Sequence, residues 1–189
     1  MTIADAAADT GAPVVVLDEA GIAGQMDKLA AHGRPPTPHL AFSVVLLDAD
    51  GATLLQRRAD VKYHFAGRWS NACCSHPRPG EPLRQAARRR LAEELHVWCD
   101  ELEVRGAFWY HAEDPASGLA EHEYDVVLMG RVWDAARPDP AEVSEVALRR
   151  PDEVLAGCRD DPRSYTPWLP MVLETALGPA QRIALDVPL

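Results

Sequence analysis

Residues 82–96 carry the most strongly marked helix in this sequence, and it lies between short runs rich in Val and Leu. Leu83, Ala86, Ala87, Leu91 and Leu95 recur at three- and four-residue spacing, and Pro82 stands at a plausible first helical position. A helix with one apolar stripe needs a flat apolar surface to cover, and the neighbouring runs supply it. Val14–Leu17 and Leu40–Leu47 read as strands, the second joined through the turn Asp48-Ala49-Asp50-Gly51 to Thr53–Gln56 as a β-hairpin. Ala23–Ala31 reads as a helix. Beyond the central helix, Val104–Tyr110 and Glu123–Val132 form a second expected hairpin across a loop at Asp114–Gly118. A strand near Val143–Leu148, a helix opening at Pro151 and a helix around Trp168–Leu177 follow. The expectation is an α+β (mixed α/β) fold, a central mixed sheet flanked by helices.

With 189 residues, 47% hydrophobic and 25% charged, the chain has the composition of an ordinary globular protein, which excludes wholesale disorder. One domain over residues 13–189 is expected, after a flexible Ala-rich leader at residues 1–12 that lacks the pattern of a secretory signal. The net charge of −10 argues against nucleic acid or an anionic membrane as partner. Leu40–Leu47, interrupted by Ser43, falls far short of the ~18–20 apolar residues that span a bilayer, so no membrane insertion is expected. Four cysteines, two of them adjacent, do not make a disulfide framework and fit a reducing cytoplasm. Any anionic ligand must therefore be held by local clusters of Lys and Arg or through a cation.

Three such constellations stand out. Asn71-Ala72-Cys73-Cys74-Ser75-His76-Pro77 places two thiols and an imidazole within four residues; a structural zinc site would need a second Cys/His pair, and Cys99 and Cys158 stand apart. Glu121-His122-Glu123 in an extended strand puts both carboxylates on one face, where they can share a cation. His32 and His39 flank a Pro-rich loop and add imidazole donors, giving a nitrogen/oxygen site suited to Zn, Mn or Mg. Arg57, Arg58 and Lys62, with Arg88–Arg90 on the helix, could flank a phosphate. The plainer reading of the helix charges is a solvated face neutralised by the Arg89/Glu93 and Arg90/Glu94 pairs.

Pro38-His39-Leu40-Ala41-Phe42-Ser43, Gln56-Arg57-Arg58, Trp69 through Pro77, Arg89 through Leu95, Glu121-His122-Glu123 and Tyr165-Thr166-Pro167-Trp168 together resemble the type I isopentenyl-diphosphate isomerases of the Nudix superfamily, over about residues 23–177. The general Nudix box, G-x5-E-x7-R-E-U-x-E-E-x-G-U with U apolar, lies over Ser75, Glu81, Arg89, Arg90, Glu93, Glu94, His96 and Val97. Arg90 stands where the hydrolases carry a metal-binding Glu; Arg has only donors, so it grips diphosphate better than it holds Mg²⁺. His96 replaces a Gly that usually leaves the helix with positive φ.

The resemblance implies the reversible 1,3-allylic isomerisation of isopentenyl diphosphate to dimethylallyl diphosphate, with no nucleic acid partner. It implies Cys74 and Glu123 as the acid/base pair, Cys74 rather than Cys73 aligning, with Tyr110 assisting. His32, His39, His76, Glu121 and Glu123 would hold one divalent metal (Mn, Mg or Zn). Trp168 would face the tertiary carbocation, while Lys28, Arg58, Lys62 and Arg90 grip the diphosphate with a second Mg²⁺ held by Glu94. No flavin is expected, since there is no glycine-rich dinucleotide fingerprint. A nucleotide hydrolase and a non-catalytic metal-bound module are the alternatives.

Overall fold

The structure, a computed structural model, describes residues 12–185 and 187–189, so the expected leader lies, but for its last residue, outside the described residues. The element order is β1 (Pro13–Asp18), β2 (Gly21–Asp27), α1 (Lys28–Ala31), β3 (His39–Leu47), β4 (Thr53–Arg58), β5 (Trp69–Asn71), β6 (Cys73–Ser75), α2 (Leu83–Leu95), β7 (Glu103–Glu113), β8 (Ala120–Arg131), β9 (Val143–Arg149), α3 (Pro151–Asp160) and α4 (Leu169–Leu177). All the described strands join one mixed sheet, flanked by helices, as the α+β reading expects.

β3 is the centre of the sheet. Its residues from His39 to Leu46 are all buried, and a strand covered on both faces reads as a continuous apolar run. It pairs in parallel with β8 along its whole length, from His39↔Glu123 to Leu47↔Arg131, and antiparallel with β6. The expected hairpin with β4 therefore shrinks to one pairing, Leu47↔Thr53, because β3's edges are already taken; β4 turns away to pair with β5 and β9. The second expected hairpin forms as β7 and β8.

Strand parity divides the core in two. Phe42, Val44 and Leu46 of β3 and Tyr124, Val126 and Leu128 of β8 pack with the α2 stripe. Val45 and Val127 point to the other face, under Trp168, Leu169, Val172 and Leu173 of the α4 segment. Ser43, Glu121, Glu123 and Asp125 share the parity of this second face. Cys73 joins the α2 core, and Cys74 packs against the α4 core.

Three local expectations need correction. Ala23–Ala31 is mostly strand: Gly21 and Gly24 have φ of 120° and 153°, outside any helix, and only the turn Lys28–Ala31, capped by the Asp27 carboxylate, is helical. Pro82 is the extended N-cap rather than the first helical residue. The α2 charges are not simply a solvated face, since Arg90 is 5% and Glu94 4% exposed. Arg90 is buried because acidic partners surround it: Glu94 at 2.7 Å, Glu93 at 2.8 Å and Glu142 at 3.3 Å. His96 adopts the left-handed conformation (φ 52°) of the glycine it replaces, its Nδ1 2.9 Å from the Arg137 carbonyl. No helix among the described residues is long and apolar enough to cross a membrane.

Because Leu91 is fully buried between α2 and the sheet, Leu91→Ala is expected to cost about 2–5 kcal/mol. Denaturant unfolding should show a lower midpoint with an unchanged slope.

Candidate functional site

The parallel β3–β8 register sets His39 beside Glu123, with Glu121 two residues away on the same face. His32 is the cap residue that follows α1, and His76 follows β6. Nε2 of His32 lies 2.9 Å from Glu121 Oε2 and 3.9 Å from Glu123 Oε1, while His39 Nε2 and His76 Nε2 approach Glu123 Oε1 at 3.3 and 2.8 Å. All five expected metal ligands are thus gathered in the interior. Potential donor atoms of His32, His39, His76 and Glu123 lie within 4.8 Å of one another, as do those of His32, His64 and Glu121.

The donor orientations fit a cation. His32 Nδ1 contacts the Lys28 carbonyl at 2.6 Å and His39 Nδ1 the Thr37 carbonyl at 2.7 Å. An Nδ1–H donated to each carbonyl leaves each Nε2 lone pair facing the cluster. Those two Nε2 atoms and Glu121 Oε2 are buried and without hydrogen-bond partners. Lone pairs converging in a dry site are costly unless a cation collects them.

Glu123 is divided between two tasks. Oε1 faces the histidines, whereas Oε2 accepts a short hydrogen bond from the Tyr110 hydroxyl. Burial and the Glu121 carboxylate push its pKa up, but the His39 and His76 imidazoles beside it outweigh them and hold it at about 2. Burial opposes the charge on Glu121 too, yet His64 and His32 hold it well below the usual carboxylate range. Burial lowers His76 to about 3 and His64 to about 4. His32 is raised, its burial outweighed by Glu121. Burial, followed by the nearby carboxylates, pushes the Cys74 thiol and the Tyr110 hydroxyl well up, so both keep their protons.

These groups meet at a cavity of about 20 Å³ lined by Cys74, Tyr110, Glu121, Glu123, His76 and Trp168 on one side and Lys28, Arg58, Lys62 and Arg90 on another. Room for about one water is all it holds. Glu94, also expected here, does not line the cavity; it lies beneath Arg90 and accepts from Gln56 Nε2 at 3.1 Å. Trp168 donates through Nε1 to Ser70 Oγ at 3.2 Å, which fixes its ring plane.

Sequence reasoning missed several neighbours. His64 Nε2 stands 2.5 Å from Glu121 Oε1, but a lone His in an irregular loop carries no spacing signal. Ser43, legible only as a break in an apolar run, lies 3.4 Å from Cys74 Sγ and donates to Asp125 Oδ2 at 2.7 Å. Asp125 extends the alternation of Glu121 and Glu123 by one more step, which could have revealed it. Glu142, paired with Lys62 and Arg90, is distant in sequence from both.

His64 and His76 are neutral in the fold, with pKa values below the ordinary 6.5, so the stability this gives is present above pH ~6.5 and is lost as pH falls toward ~3–4. Raised His32 acts in the opposite sense. Metal-stripped protein is expected to show a falling unfolding midpoint across that window, with a shallower slope in His76→Gln; denaturant titrations at stepped pH check both.

A model of the NUDIX domain matches residues 37–169. Among curated proteins, the isopentenyl-diphosphate Delta-isomerase of Nocardia farcinica is 50% identical over 165 residues, covering 87% of this chain and 94% of that protein. The isomerases of Halorhodospira halophila and Streptomyces coelicolor are 45% and 44% identical, over 85% of this chain and 93% and 81% of their own lengths. Among solved structures, a Deinococcus radiodurans protein superposes with a TM-score of 0.72 at 17% identity, covering 88% of this chain and 99% of its own. A MutT protein of Methanosarcina mazei follows at 0.60 and 16%, covering 72% and 91%; both show the fold alone.

Proposed function

Because the chain belongs to the Nudix family, and within it to the isopentenyl-diphosphate Delta-isomerases, we propose that it interconverts isopentenyl and dimethylallyl diphosphate by adding a proton to one carbon and removing one from another. The observation that carries the site assignment is the meeting, at one buried cavity, of a protonated thiol, an ionised carboxylate and an indole ring, with four basic side chains beside them.

An allylic shift needs one group that gives a proton and another that takes one. Cys74 and Glu123 hold one proton between them in the resting site and fill these roles in either direction of the reaction. Tyr110, hydrogen-bonded to Glu123 Oε2, is the route by which that carboxylate exchanges its proton. The tertiary cation formed between the two transfers meets the π face of Trp168, which lines the cavity. Lys28, Arg58, Lys62 and Arg90 hold the diphosphate, so binding at the inert end positions the alkene.

His32, His39, His76, Glu121 and Glu123 would hold one divalent metal, and their nitrogen/oxygen donor set suits Zn, Mn or Mg. Such a metal supplies a fixed positive charge that orders Glu123 and lowers its proton affinity. A second Mg²⁺ would accompany the diphosphate, and Glu94, expected to help hold it, would have to exchange its contacts with Arg90 and Gln56 for the ion. The substrate is a small prenyl diphosphate, and the setting a cytoplasm that keeps the four described cysteines unbridged, as they are here. Arg90, buried and ion-paired where hydrolases carry a Glu, disfavours nucleotide hydrolysis.

Incubation with isopentenyl diphosphate and Mg²⁺ in deuterated water should give deuterated dimethylallyl diphosphate by NMR, with Cys74→Ala and Glu123→Gln each losing at least about 10²–10⁴-fold in rate. Unchanged substrate with metal-loaded wild type would overturn the reading. Trp168→Leu should lower kcat by roughly 30-fold with little effect on KM, since a desolvated cation–π contact is worth about 2 kcal/mol, whereas Trp168→Phe should keep most of the rate.

A further inference from the structure

We propose that His64 is a positioning residue for the metal centre, holding one oxygen of Glu121 so that the other is presented to the ion. The inference rests on the reading above that the His/Glu cluster binds a divalent metal. Nε2 of His64 lies 2.5 Å from Glu121 Oε1. The opposite oxygen, Oε2, is buried, lacks a hydrogen-bond partner and lies 2.9 Å from His32 Nε2. One carboxylate oxygen is thus fixed from behind, and the other is left with its lone pairs turned into the cluster.

The donor form of His64 is set by its other nitrogen. Arg58 Nη2 stands 3.5 Å from Nδ1, and an Arg can only donate, so Nδ1 carries the lone pair and Nε2 the proton given to Glu121. The same guanidinium donates to the His64 carbonyl at 3.0 and 3.3 Å. Tyr63 stacks on the imidazole at 4.3 Å, and Phe65 meets it edge-on at 5.5 Å. Phe65 is held in the left-handed region, φ 47°, with its N–H bound to Asp114 Oδ2 at 3.0 Å and its ring edge-on to Trp168 at 5.1 Å. That strained turn sends Phe65 into the core and leaves His64 facing Glu121. Through one ring, a residue proposed to grip diphosphate is joined to a metal ligand.

The test is the affinity of the whole chain for Mn²⁺, measured by competition with a chelator, for wild type, His64→Phe and His64→Gln. Phe keeps the ring packing without a donor, and Gln keeps a side-chain N–H at similar reach. Loss of a hydrogen-bond partner behind a ligand costs roughly 10–100-fold in affinity, so His64→Phe should fall by that much while His64→Gln stays within about threefold of wild type. Thermal melts of the metal-stripped proteins establish that each is folded; if His64→Phe is not, His64→Asn, whose amide is too short to reach Glu121, replaces it. Wild-type affinity in His64→Phe, or equal losses in the Phe and Gln variants, overturns the proposal. A wild type that binds no Mn²⁺ overturns the metal reading itself, and the two failures cannot be confused.

Discussion

The parallel pairing of β3 with β8 is the interaction on which the rest of this structure depends. It covers the long apolar strand on one edge, and its register decides which side chains stand together at the end of the sheet. With His39 opposite Glu123, every second residue of β8 from Glu121 onward faces the α4 side, and those between face α2. A slip by one residue would exchange the carboxylates for His122 and Tyr124. Site and core are therefore one decision of strand parity, and the fully buried Val126, Val127 and Leu128 hold that decision in place.

Electrostatically, the site concentrates groups that would each be costly alone. Carboxylates at 2% exposure are tolerated because imidazoles and a phenol surround them. Glu123 is the pivot: its two oxygens belong to different neighbourhoods, one among nitrogen donors and one against a hydroxyl. On the function proposed above, this division would let a single side chain serve a metal and a proton without the two competing for the same lone pair. Beneath the basic wall, Arg90 and Glu94 form a buried pair within α2, and Gln56 of β4 and Glu142 tie that pair to the rest of the fold.

Much of this was legible in the sequence, for physical reasons that differ by element. The periodicity of Leu83, Ala86, Ala87, Leu91 and Leu95 marks α2 because a helix on a sheet needs such a stripe. Glu121 and Glu123 share a face because any strand alternates, and Asp125 was within reach of the same argument. Ala23–Ala31 misled, since its small residues suit a helix whereas Gly24, at φ 153°, continues an edge strand. The β3–β4 turn was legible but not the strands' partners, because the competition among β4, β6 and β8 for β3 is settled by tertiary packing. His64 and Glu142 were invisible for a related reason: irregular loops bring them to the site, and loops leave no period in the sequence.

The parity of β6 carries a consequence for the two adjacent sulfurs. Cys73 and Cys74 are neighbours in the chain, yet one is sealed beneath α2 and the other borders the cavity, separated by the thickness of the sheet. A bridge between consecutive cysteines would need both side chains on one side, which an extended strand forbids. Oxidants thus find no ready partner for the cavity thiol in its closest sequence neighbour, and an electrophile shaped for the cavity would mark one sulfur of the pair and leave the other untouched.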